Sequence, residues 1–146
     1  MDQKMEFFVS ILPVPKQSFR VGGKGRRGFQ SHRVIQYEKR LAGAAFEAAM
    51  DHEWKRPPAS VPIGLRFVFR FPHPKSVRKS VREKELGRVK RPDLDNLLKG
   101  AIDGLSRSGI WEDDQQIAAI KAWKKDVPRG AEGIEIWVET RYDLIE

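Results

Sequence analysis

VPIGLRFVFRF, residues 61–71, alternates Val61, Ile63, Leu65, Phe67, Phe69 and Phe71 with Pro62, Gly64, Arg66, Val68 and Arg70. A period of two with one wholly apolar side marks a β-strand whose side chains on that face belong to a core. Upstream, MEFFVSIL (residues 5–12) reads as another strand, stopped by Pro13 and Pro15. Between the two, Val34, Tyr37, Leu41, Ala45 and Ala49 recur every three or four residues. That spacing predicts an amphipathic helix over 34–54, closed by Pro57 and Pro58.

Downstream, the charged stretch from Pro72 to Arg91 is either loop throughout or contains a short polar helix near Val77–Leu86. A second helix is expected from Asp93, with Leu94, Leu97, Leu98, Ala101, Ile102 and Leu105 inward and Gly109 ending it. Gln115–Lys124 and Ile134–Thr140 read as two further strands, joined as a hairpin through Pro128, Gly130 and Gly133. The pattern is β-α-β-α-β-β in a single domain over residues 1–146. It predicts an α+β fold: a small mixed β-sheet of about four strands with two main helices packed largely on one face. The poorly covered face is a candidate for self-association.

Composition narrows the chemistry. None of the 146 residues is cysteine, which excludes disulfides, thiolate nucleophiles and thiolate metal sites, so any metal sits on oxygen or imidazole. The N-terminal apolar run is too short to span a bilayer, and Asp2 and Glu6 stand where a signal peptide carries basic residues, so a cytoplasmic protein with no membrane partner is expected. The net charge of +8 is concentrated. From Phe7 to Tyr37 there is no acidic residue, and Lys16, Arg20, Lys24, Arg26, Arg27 and Arg33 give +6. From Lys75 to Arg91 there is a further +6, with Lys75, Arg78, Lys79, Arg88, Lys90 and Arg91 among its cations. Local positive charge of this kind suits successive phosphates, so these residues are the candidate nucleic-acid contacts. Phe19 and Phe29, in the same glycine-rich stretch, are candidates for stacking on bases. GGKGRRG, residues 22–28, does not follow the phosphate-loop pattern, and no nucleotide cofactor is expected.

Against this basic background stands RPDLDNLLKGAIDGL, residues 91–105, followed by WEDD at 111–114. Asp93 falls in the opening turn of the helix after Pro92; Asp95, Lys99 and Asp103 follow on one polar stripe. Helix-start aspartates often serve as caps, and Asp103 reads as a surface partner for Lys99. Together, however, Asp93 and Asp95 with one of Glu112, Asp113 and Asp114 offer a hard divalent cation an oxygen-rich site, to which the basic segments bring phosphates. Spacing does not choose among the three later carboxylates. Phosphodiester hydrolysis fits both halves, with Lys99 placed to neutralise charge on the phosphate.

The D-L-D-N of residues 93–96, the lysine four residues after its second aspartate, AIDGL at 101–105 and WEDDQQ at 111–116 resemble the RusA family of Holliday junction resolvases. The likeness extends more weakly from ILPVPKQSFR at 11–20 to the last strand, and departs from the family in the length of the 72–91 segment. The resemblance implies a homodimer that binds branched DNA, especially four-way junctions, and cuts it symmetrically with Mg²⁺, for which Mn²⁺ substitutes. It also implies that the essential aspartates are Asp93, Asp95 and Asp114, all metal ligands, with Lys99 as the catalytic lysine. Asn96, Asp103 and Asp113 match supporting positions.

Overall fold

The computed structural model describes residues 2–16, 20–21, 28–29 and 31–143. Lys24, Arg26, Arg27 and Phe19 lie outside the described residues, and of Arg20 and Phe29 only the backbone is described. In chain order the elements are β1 (Gln3–Val9), β2 (Arg20–Val21), β3 (Gly28–Phe29), α1 (His32–Asp51), β4 (Ile63–Pro72), α2 (Lys79–Arg82), β5 (Leu86–Gly87), α3 (Leu94–Arg107), a 3₁₀ turn (Asp114–Gln116), β6 (Ile117–Val127) and β7 (Gly133–Thr140). The main sheet has five strands in the order β1-β7-β4-β6-β5, while β2 and β3 form a separate two-stranded ribbon.

These findings correct the expected four-stranded, two-helix β-α-β-α-β-β arrangement. Five strands and three helices follow one another in the main body as β-α-β-α-β-α-β-β, the additions being α2 and β5. The last two strands are also not a hairpin. β4 lies between them, parallel to β6 and antiparallel to β7. The physical reason is the burial demand of β4: Phe67 and Phe69 are fully buried, and a strand so apolar takes the centre of a sheet, with neighbours on both edges.

One face of β4, carrying Phe67, Phe69 and Phe71, joins Tyr37, Leu41, Leu97, Ala101 and Leu105 in a single core. α1 is capped by the Ser31 side chain, which accepts from the Val34 N–H at 3.2 Å. It packs closely on α3 because α3 presents glycine there: a Cβ at Gly104 would lie 2.9 Å from Cβ of Leu41; Gly100 does the same for the turn after β1, where a Cβ would lie 2.9 Å from the Val14 carbonyl oxygen. The opposite sheet face carries Arg66 between the indoles of Trp123 and Trp137, at 5.9 and 5.7 Å from their centroids. Trp123 and Phe8 are about half exposed there.

The segment 72–91 is held by polar anchors, which leave no hydrophobic periodicity to read. Buried His73 bonds through its Nε2 to the Lys84 carbonyl at 2.6 Å, and Arg70 pairs with Glu85 at 3.3 Å. β5 adds only two residues to the edge of β6. Among the described residues no helix is long and apolar enough to cross a membrane.

Candidate active site

α3 opens at Asp93, the N-cap residue, whose backbone is extended and whose side chain makes no capping hydrogen bond. Asp95 lies in the first turn, exposed, with Oδ1 accepting from the Asn96 N–H at 2.9 Å. Both carboxylates therefore sit at the positive end of the helix dipole with oxygen lone pairs left for a ligand. Their geometry is fixed from behind. Lys124 of β6 donates from Nζ to the carbonyls of Lys90 (2.8 Å) and Pro92 (2.9 Å). Arg88 donates from Nε and Nη2 to the Arg91 carbonyl at 3.0 and 2.5 Å, and from Nη1 to Asp126 at 2.7 Å. Lys124 and Arg88 thus hold the main chain that leads into the two aspartates. No sequence pattern announces such a role, because the partners are backbone carbonyls.

The WEDD segment arrives at the other end of the same helix. Ser108 caps α3, Gly109 adopts a positive φ of 77°, and the chain turns back on the last helical turn. There Asp114 Oδ1 accepts from Ser106 Oγ at 2.5 Å and from the Nε1–H of buried Trp111 at 2.8 Å. Asp113 instead shapes the turn. Its side chain accepts from the Gln115 N–H at 2.8 Å and forms a capping box with Gln116. Glu112 is exposed.

The three candidate ligands are therefore not gathered within one chain. Ser106 stands eleven residues beyond Asp95, which at 1.5 Å per residue is about 16 Å along α3. Among the described residues no group of three or more acidic or histidine side chains is close enough to hold a metal ion. The residues nevertheless fit a hard cation in part: Asp93 makes no capping hydrogen bond, Asp95 is exposed two residues on, and Mg²⁺ commonly takes one or two carboxylates plus substrate phosphate. Lys99, one turn beyond Asp95, is exposed on the same side of the helix.

Several cations read from the sequence as phosphate contacts have internal partners. Lys16 Nζ lies 2.7 Å from Asp103 and 3.2 Å from Glu38, which is 5% exposed and also faces Arg107 at 3.8 Å. Burial alone lowers the lysine's pKa, but its bonds to Asp103 and Glu38 outweigh that and hold it above the ordinary value of 10.5. Asp103 thus forms an ion pair with Lys16. Arg88 is likewise engaged by Asp126 and by the ring of Phe71, 4.3 Å from its guanidinium. Arg33, Lys75, Arg78, Lys79, Lys90 and Arg91 are exposed.

Comparison with known proteins bears on this arrangement. Residues 10–139 match the family model described as Endodeoxyribonuclease RusA. The chain is 28% identical over 134 residues to the crossover junction endodeoxyribonuclease RusA of Aquifex aeolicus, covering 92% of this chain and 90% of that protein. It is 44% identical over 41 residues to the protein of that name from Escherichia coli K12, covering 28% of this chain and 34% of that one. The protein of Enterobacteria phage 82 gives 42% over 41 residues, with the same coverage. A match across nearly the whole fold means that this chain belongs to the RusA endodeoxyribonuclease family.

Proposed function

We propose that the protein is a metal-dependent endonuclease that resolves four-way DNA junctions by paired, symmetric cleavage of the phosphodiester backbone. Membership of the RusA family carries this reading, since its relatives are named crossover junction endodeoxyribonucleases. Asp93, Asp95 and Asp114 are its proposed metal ligands, for Mg²⁺ or in its place Mn²⁺. When bound, the cation supplies a Lewis acid to the scissile phosphate and an acidified water. Asp93 and Asp95 bind and orient; Asp114, held by Trp111 and Ser106, offers a third oxygen whose position is fixed before substrate arrives. Lys99 offsets negative charge on the phosphate oxygens. Exposed Arg33, Lys75, Arg78, Lys79, Lys90 and Arg91 contact the backbone, mostly without reading sequence.

The separation of Asp114 from Asp95 supports a homodimer in which each site draws on both chains. On α3, Asp95, Lys99, Ile102 and Ser106 recur at intervals of four, three and four residues, which is a single stripe. A two-fold axis crossing that stripe near its middle sets Asp95 of one copy opposite Ser106 and Asp114 of the other. Such a dimer has two equivalent sites, as two symmetric nicks require.

The test is incubation of purified protein with an end-labelled synthetic four-way junction in Mg²⁺, beside fork and duplex controls and the Asp95→Asn variant. Paired nicks that need both metal and Asp95 are expected. A junction that is bound but never cut, in Mg²⁺ or Mn²⁺, rules the nuclease reading out in favour of a binding role.

A further inference from the structure

Asp93 lines a groove of about 490 Å³ that extends away from the carboxylates to Leu12 and Arg88, residues with no part in the proposed cleavage chemistry. The segment after β1 lines it with half-exposed Leu12 and partly buried Pro15, while Pro13 is itself fully buried. One wall is built on Arg88. Its guanidinium is backed by the Phe71 ring at 4.3 Å and held at its edges by the Arg91 carbonyl and the Asp126 carboxylate. The side chain keeps 15% of its exposure and lines the groove. A planar cation fixed in this way is a platform on which a planar base can stack. Arg33 and Arg91 stand at the same groove with their charge exposed, and Asn96 brings an amide that can both donate and accept.

The geometry points to a subsite for one unpaired nucleotide flanking the scissile phosphate. Its base stacks on Arg88 beside Leu12 and Pro15, its edge meets Asn96, and its phosphate is met by Arg33 and Arg91. The volume lies within the range of small-ligand pockets, about 300–1,000 Å³, which is room for a single nucleotide. The occupant is unpaired because stacking on Arg88 needs a base face that a duplex keeps covered by its neighbours. Bases at a branch point are the least costly to supply, having already lost part of their stacking. Because Asp93 also lines the groove, the nucleotide that fits fixes which phosphate meets the carboxylates. The inference rests on the nuclease reading and adds to it a means of choosing the cut.

The test is a cycle between protein and DNA, read in both binding and cleavage. Abasic sites are placed one at a time around the branch point of a four-way junction, and each substrate is given to the wild-type chain and to Leu12→Trp. Leu12 is 43% exposed, so the larger side chain fills the groove without entering the core. One abasic position is expected to weaken the wild type by about 5- to 150-fold, the usual worth of one stacked base. Leu12→Trp is expected to lose a similar factor on the intact junction and almost nothing further on that abasic substrate. Asn96→Ala, which leaves the groove open, is expected to keep the abasic effect but to change which base is preferred. Abasic effects spread evenly over all positions, or losses from Leu12→Trp and the abasic site that simply add, overturn the subsite. If the wild type binds but never cuts, the nuclease reading fails, and the same cycle in dissociation constants still decides whether a nucleotide occupies the groove.

Discussion

The indole Nε1–H of Trp111, a side chain 3% exposed, donates to Oδ1 of exposed Asp114 at 2.8 Å. A core residue thus reaches out to hold a surface carboxylate that a cap or a solvated acid does not need held. Trp111→Phe keeps the buried ring and removes the bond. It is expected to cost only about 1 kcal/mol of stability. Cleavage of a junction should fall by about 10- to 100-fold, as for other groups that orient a ligand. Chemical denaturation and a cleavage time course on the same preparation check both halves.

Gly100→Ala tests the contact between the turn after β1 and α3. Alanine is the better helix former by about 0.5–1 kcal/mol, but its Cβ would lie 2.9 Å from the Val14 carbonyl oxygen, a backbone atom that cannot swing aside. Net destabilisation of about 1–3 kcal/mol is expected in a denaturant titration. Gly43→Ala, where nothing lies within 4 Å, should be neutral or stabilising.

Alkaline pH should find a specific weakness. Burial holds the Tyr37 phenol well above its ordinary value of 10.0. A group whose folded pKa is raised contributes its stability in full below the unfolded value and loses it as pH rises through the folded one. Stability should therefore hold through neutral pH and decline from about pH 10 upward. Tyr37→Phe should flatten that decline, and the engaged Lys16 gives the remaining slope in the same direction. Unfolding curves across this range check the sign.

DNA affinity should be dominated by phosphate. With several exposed cations in the 75–91 segment, binding to a junction is expected to weaken by about 10³-fold or more between about 50 and 200 mM salt. Lys79→Ala should weaken all branched substrates alike, whereas Lys16→Ala should act mainly on stability, since its charge faces Asp103 and Glu38. Titrations at several salt concentrations separate the two.

What the sequence made legible follows from what holds each element. The alternation in β4 and the leucines of α3 record burial directly, so both elements and the core between them could be read from pattern alone. α2 falls within the short polar helix that the sequence left open beside a loop, whereas β5 could not be read, because His73, Arg70 and Arg88 anchor its surroundings by polar bonds that leave no period in the chain. Strand order failed for a related reason: a local hairpin between β6 and β7 is the shorter connection, but β4 needs cover on both edges. In the carboxylate cluster spacing did not choose, since Glu112 and Gln115 are three apart just as Asp113 and Gln116 are; only the folded turn shows that Asp113 makes the capping box. The distance from Asp114 to Asp95 was beyond reach, because it depends on the chain turning back at Gly109 along the full length of α3.

The most direct test mixes two inactive chains. Asp95→Asn and Asp114→Asn are purified separately, allowed to exchange subunits, and given a four-way junction in Mg²⁺. If each site combines Asp95 of one copy with Asp114 of the other, each variant alone is inert, while the mixture regains one intact site per mixed dimer and nicks one strand without its symmetric partner. A mixture as inert as its components, beside a wild-type control that cuts, contradicts the shared site.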